Sequence, residues 1–195
     1  MKASTILVVL VLAGLALIGF AFSQRNTLIS QDESVNKAWG NVESTYQRRL
    51  DLIPNLVESV KGATKYEGET LVKVTEGRNQ ILSLAKELKG AVTDQNTARI
   101  DELERSLVPA LRAYTGIATE AYPALKATDQ FTSLQAEIAG TENRINVARR
   151  DYNDAVASLN TRVRQWGWLP FCSGFKTREP FKAESGAEKA PLVHF

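Results

Sequence analysis

The chain has 195 residues, of which 44% are hydrophobic and 24% charged, with a formal net charge of +2. That leaves room for one membrane segment and one modest globular domain of about 100–150 residues, in a composition that buries a core rather than staying disordered. Lysine and arginine alternate with aspartate and glutamate along the chain, without a basic stripe interleaved with aromatics, so nucleic acid is not an expected partner.

Residue inventory narrows the chemistry further. Cys172 is the single cysteine, so no intramolecular disulfide can form, and His194 is the single histidine. A di-iron bundle needs a Glu-x-x-His pair from each of two helices, a structural zinc site needs about four Cys or His ligands, and a Ser-His-Asp or Cys-His site needs a positioned imidazole. No catalytic residue, metal-ligand set or cofactor is expected.

The first element is ASTILVVLVLAGLALIGFAF, Ala3 to Phe22, which carries no charge. As a helix it spans about 30 Å, the thickness of a bilayer's hydrocarbon core. A retained single-pass membrane helix is the expectation. The alternative is a signal peptide cleaved after Ser23, where Ala21-Phe22-Ser23 offers small residues; against it, the apolar run exceeds the roughly 7–15 residues of a signal core and Lys2 is its only basic lead. Lys2 on one side is balanced by Arg25 and Lys37 on the other, which leaves the side of the soluble domain open.

Beyond the anchor, Val35, Trp39, Val42, Tyr46, Arg49, Ile53, Val57 and Val60 step by threes and fours, one face of a helix, with a kink expected at Pro54. Gly62 and Gly68 place a turn near residues 62–66. A second helix follows through Leu71, Val74, Ile81, Ala85 and Leu88, expected to end at Gly90. Thr93 or Asp94 is expected to cap a third, through Ile100, Leu103, Leu107, Leu111 and Tyr114, with a bend at Pro109. After the loop TEAYPALKATD, the last and longest helix puts Leu134, Ile138, Ile145, Ala148, Tyr152, Leu159, Val163 and Trp166 inward. The predicted fold is all-α: an N-terminal transmembrane helix followed by an antiparallel, up-and-down four-helix bundle with long helices. Its expected parts are the anchor (1–25), the bundle (28–167) and an irregular tail (168–195). In that tail, Trp168, Leu169, Phe171, Phe175 and Phe181 are too apolar for a purely solvated segment. They either cover an end of the bundle or, for Trp168 and Phe171 beside Lys176 and Arg178, rest at a membrane interface or on a partner.

Four segments carry a resemblance: RRLDLIPNLVESVKG (Arg48 to Gly62), AYPALKA (Ala121 to Ala127), TENRINVARRDYN (Thr141 to Asn153) and GFK (Gly174 to Lys176), all behind an apolar N-terminal helix. Together they resemble the LemA family over nearly the whole chain. The resemblance implies a membrane-anchored antiparallel helical bundle and no enzyme class. Two positions depart from it: Tyr66-Glu67 stands where members often have His-Glu, and Trp166-Gly167-Trp168 where relatives usually open with Phe-Pro. A metal or proton role built on that histidine is not expected here.

At 3.6 residues per turn, Glu142, Asn146, Arg149, Asn153 and Asn160 fall along one edge beside the apolar stripe, where half-burial is expected. The first bundle helix offers a comparable edge with Asn41, Arg48, Asn55 and neighbouring Glu58. The candidate structural or interaction seam is therefore Arg48, Arg49, Asn55, Glu58, Glu142, Asn143, Arg144, Asn146, Arg149 and Asn153. It can fix helix register, as a buried Asn does in a coiled coil, or Arg48, Arg49, Glu142, Arg144 and Arg149 can form a recognition groove for a protein segment or an anionic group. Acid–base catalysis is the weakest reading, because spacing places no nucleophile or second carboxylate beside Glu142. The expected function is a non-enzymatic interaction or scaffold module held in the membrane, with a protein partner. The alternatives are a binding domain or hydrolase using the Arg/Glu-rich seam for an anionic ligand, and a secreted soluble bundle.

Overall fold

The structure, a computed structural model, describes residues 3–63 and 69–182. The expected turn near residues 62–66, the Tyr66-Glu67 departure, His194 and the last part of the tail lie wholly or largely outside the described residues. Four α-helices follow one another, α1 (Ala3–Ala63), α2 (Glu69–Thr93), α3 (Thr97–Ala121) and α4 (Asp129–Trp166), with 3-10 turns at Pro123–Ala127 and Pro170–Cys172. No strand occurs among the described residues.

The membrane segment and the first bundle helix are one continuous helix. Within α1 the large apolar side chains from Ile6 to Phe22 are exposed, and burial begins at Leu28. A helix that shows Leu7, Leu10, Leu15 and Leu17 on its surface suits lipid better than water, and α1 is long and apolar enough to cross a membrane. The helix assignment runs unbroken through Pro54, as that of α3 does through Pro109, and both prolines face outward. At such positions water can satisfy the carbonyl that the missing N–H leaves free.

The chain divides into two compact units, Met1–Gly40 with Arg150–Pro180, and Asn41–Arg149 with Phe181–Phe195. In the first, α1 and α4 run antiparallel: Phe20 meets Trp166, Gln24 meets Arg162 and Trp39 meets Tyr152, one series rising as the other falls. Leu28, Val35, Trp39, Tyr152, Val156, Leu159 and Cys172 are buried there. Past Gly167 the tail passes through the 3-10 turn at Pro170–Cys172, and the irregular segment after it is fastened to this pair. The Asn160 side-chain amide donates to Arg178 O (2.9 Å) and accepts from Arg178 N (2.8 Å), while Tyr152 Oη donates to Glu179 O (3.3 Å). Gly167 itself makes the exit possible, since a Cβ there would lie 2.4 Å from Val163 O.

The second unit holds a bundle of all four helices. Pairing of Glu87 with Arg99 and the approach of Gly77 to Tyr114 make α2 and α3 antiparallel, and pairing of Asp101 with Arg149 and of Arg112 with Glu142 does the same for α3 and α4. The predicted stripes are the buried ones: Val42, Tyr46, Arg49, Ile53, Val57 and Val60 on α1, Ile100, Leu103, Leu107, Leu111 and Tyr114 on α3.

One boundary differs from expectation. Gly90 does not end α2, which continues to Thr93, and the cap of α3 is Asn96, whose side chain accepts from Arg99 N (2.9 Å). Glycine costs about 1 kcal/mol in a helix, but Ala91 and Val92 just beyond it are buried, and their burial repays the extra turn. The reversal falls instead at Gln95, which takes φ 54°.

Burial pushes the phenols of Tyr46, Tyr114 and Tyr152 upward, Tyr114 to about 12, with Glu58 adding to the rise there and Arg78 opposing it. In the unfolded chain these phenols ionise near the ordinary value of about 10, so the unfolded state loses protons first as pH rises. Stability is therefore expected to be intact below about pH 10 and to fall between about pH 10 and 12. Urea midpoints measured across that range should show the fall, and Tyr114→Phe should make it shallower; a flat profile would contradict the burial.

Candidate functional site

The polar cluster of the second unit is built around Arg49. Its place on the apolar stripe of α1 forces the guanidinium into the core, where the residue is 1% exposed. A buried guanidinium must spend its donors on fixed acceptors. Nε donates to Thr141 Oγ1 of α4 (2.9 Å), and Nη1 donates to Glu104 Oε2 of α3 (2.6 Å). The Thr141 hydroxyl donates its own hydrogen bond to Ile138 O (2.6 Å), so its acceptor side stays open for Arg49.

A second ion pair lies beside the first, between Arg149 of α4 and Asp101 of α3. Asp101 also accepts from the backbone N–H of Lys182 through Oδ2 (3.2 Å), so both its oxygens are engaged. The Phe181 ring, buried, lies 4.4 Å beneath the Arg149 guanidinium, an arrangement in which the ring quadrupole favours the cation. Tyr46, fully buried, holds its hydroxyl without a hydrogen-bond partner among the described residues. Burial first, then the nearby Glu104 charge, keep that phenol protonated, against the opposing pull of Arg149 and Arg49.

These groups border a cavity of about 370 Å³ whose lining includes Arg49, Asp101, Glu104, Arg105, Arg112 and Arg149, with Glu142 and Asn146 on the α4 side. Arg105 and Arg112 are exposed at its edge, and Arg112 reaches Glu142 at 3.5 Å. Each carboxylate is answered by a guanidinium. The arrangement can hold helices in register, and it can offer Arg105 and Arg112 to solvent.

The predicted seam is divided by the structure. Arg49, Glu142, Asn146 and Arg149 come together at the cavity. Arg48 is exposed and pairs with Glu137 of α4 (3.2 Å), a residue that does not belong to the expected α4 edge. Asn55, Asn143 and Arg144 are exposed, and Glu58, also exposed, pairs with Lys61 of its own helix (3.4 Å). Asn153 is half-buried in the other unit. Along the α4 edge, Glu142, Arg149, Asn153 and Asn160 are half-buried as expected and Asn146 is exposed. Asp101 and Glu104, which complete the cluster, escaped the sequence reading. Their signal was faint: two acids three apart that border the apolar stripe Ile100, Leu103, Leu107, where an ordinary surface pair would look the same.

A model of the LemA family matches residues 38–195. The chain belongs to the LemA family. Magnetosome protein MamQ 2 and magnetosome protein MamQ 1 of Paramagnetospirillum magneticum are each 25% identical to it over 205 residues, covering 96% of this chain and 75% of theirs. Protein LemA of Metamycoplasma hominis is 24% identical over 140 residues, covering 72% of this chain and 59% of its own. This LemA-family chain is thus a membrane-anchored helical protein, with its polar cluster inside the matched region.

Breaking the buried pair from one side is the informative perturbation. Glu104→Gln leaves Arg49 charged and uncompensated and is expected to destabilise by about 3–5 kcal/mol, whereas Arg49→Met with Glu104→Leu should recover most of that loss. Urea titrations of the two variants decide it; a loss below about 0.5 kcal/mol for the single variant would mean that water solvates Arg49. Tyr46→Phe removes a buried hydroxyl with no hydrogen-bond partner, so its stability in the same titration should match or exceed that of the unmodified protein.

Proposed function

We propose that this protein is a non-enzymatic interaction or scaffold module, held in the membrane by a single retained N-terminal helix, with a protein as its partner. The observation that carries the reading is the state of the cluster. Asp101 is engaged through both oxygens, Glu104 by Arg49, and Glu142 faces Arg112, so the carboxylates of the cavity serve as counterions. General acid–base work needs a group free to exchange a proton with substrate. The names of the relatives, a magnetosome protein and a family protein, likewise attach no reaction.

On this reading the Arg49 network fixes the register of the bundle, and recognition belongs to its outer faces, among them the α3–α4 edge with Arg105, Arg112 and Asn146. Photo-crosslinkers placed at Arg105 and at Asn146 in the full-length protein, activated in native membranes, are expected to give the same discrete protein adduct. Adducts that differ at random between the two sites, or none at all, would count against a partner on this face. Mass spectrometry of the membrane-extracted protein should return peptides from within residues 6–22; a mature N-terminus at Gln24 would replace the anchor with a cleaved signal.

A further inference from the structure

The first unit presents a corner of aromatic and basic groups that neither the buried cluster nor the anchor alone accounts for. Phe20 packs edge-to-face on Trp166, with ring centroids 5.3 Å apart, and Phe22 stacks on Phe171 at 5.9 Å. These two contacts fix the end of α4 and the following 3-10 turn beside residues 20–22, the last turn of the apolar segment. A membrane helix of that length reaches the headgroup level there. Phe171 stays 57% exposed despite its stacking, and Trp168 beside it is 74% exposed. Trp168 Nε1 donates to Gln165 O (3.0 Å), which holds the indole in one place.

Beside this corner lies a cavity of about 630 Å³ bordered by Arg25, Asp32, Phe171, Lys176, Thr177 and Arg178. Asp32, the one acid in that lining, pairs with Arg178 (3.1 Å). Among the described residues Arg25 and Lys176 have no ion-pair partner, so the described lining carries two cations beyond the Asp32–Arg178 pair. The Asn160 amide, bonded both ways to the Arg178 backbone, holds the basic segment against the helix pair. Amphipathic rings at headgroup depth next to unpaired cations are the chemistry of an anionic lipid surface.

We propose that this corner is a foot seated on the leaflet the anchor enters: Trp168 and Phe171 enter the headgroup region, and the cavity between Arg25 and Lys176 takes the phosphodiester of an anionic lipid. Continuity with the anchor selects lipid over a soluble partner, since Phe22 belongs to the apolar segment and to the foot at once. The proposal rests on the retained anchor, and the two fail differently: loss of the anchor releases the protein from the bilayer, whereas loss of the foot leaves it there with Trp168 in water.

The test uses full-length protein reconstituted in lipid nanodiscs containing brominated lipids as quenchers. Tryptophan quenching is compared between the unmodified chain and Trp168→Phe, a change at an exposed position that leaves the core intact. Extra quenching in the unmodified chain, stronger for bromines near the headgroup than for bromines deep in the tails, is expected. Equal quenching in both proteins, with Trp168 open to aqueous iodide, overturns the foot. In discs of three parts phosphatidylcholine to one part phosphatidylglycerol, moving the bromines onto the phosphatidylglycerol should raise that Trp168 signal several-fold over bromines on an equal share of the phosphatidylcholine. Arg25→Gln with Lys176→Gln should abolish the preference. No preference in the unmodified chain, or a preference abolished by inorganic phosphate at matched ionic strength, overturns the lipid assignment.

Discussion

The charge of Arg49 is the constraint on which the bundle of the second unit depends. A guanidinium that is 1% exposed cannot be left to water. It has to be answered by fixed partners, and the partners it has belong to two other helices, Thr141 of α4 and Glu104 of α3. Sliding α1 by one residue would turn Arg49 out of the stripe. Sliding α4 by one residue would replace Thr141 with Gly140 or Glu142, which can offer no hydroxyl or only a longer, charged reach. Apolar packing alone is forgiving of such shifts, because one branched aliphatic contact resembles another. A buried charge with directional donors is not, and this is how a polar group specifies one register among several of similar hydrophobic burial.

Around this centre the other polar contacts follow a gradient of exposure. Arg149 and Asp101 are closed over by Phe181 and tied to the backbone at Lys182, so the end of the tail becomes part of the cluster's wall. Arg112–Glu142 and Arg48–Glu137 lie further out, with side chains from 38% to 75% exposed, where an ion pair contributes about 0–1 kcal/mol. On the proposed reading the inner pairs hold the helices in line, while the outer groups face solvent. In the first unit the same chain uses side-chain bonds to the tail's backbone, and aromatic stacking on the apolar helix, to fasten a segment whose only regular structure among the described residues is one 3-10 turn.

Much of this was legible in the sequence, and what was not has definite physical causes. The stripe from Val35 to Val60 is a helical repeat, and Arg49 stood on it, so its burial could be anticipated from position alone. The membrane segment was legible by length and by the absence of charge. Asp101 and Glu104 were not, because a carboxylate beside an apolar stripe becomes a counterion only when another helix brings a cation to it, and periodicity carries no information about what faces across a gap. Asn143 and Arg144 show how fast exposure changes along the same helix. They sit in a conspicuous motif, but each residue advances about 100° around the helix, so two neighbours of the half-buried Glu142 already face solvent. Gly90 misled because local propensity was outweighed by the burial of Ala91 and Val92.

The most direct measurement of the central claim is proton exchange at the arginine side chains, followed by nuclear magnetic resonance on full-length protein labelled at arginine nitrogens. With Arg49 held by Thr141 and Glu104, its Nε–H is expected to exchange only through unfolding of the bundle, orders of magnitude more slowly than that of Arg48 one residue away. An Arg49 Nε–H that exchanges at the rate of Arg48 would show that the guanidinium is open to water, and the bundle would then owe its register to something other than a buried charge.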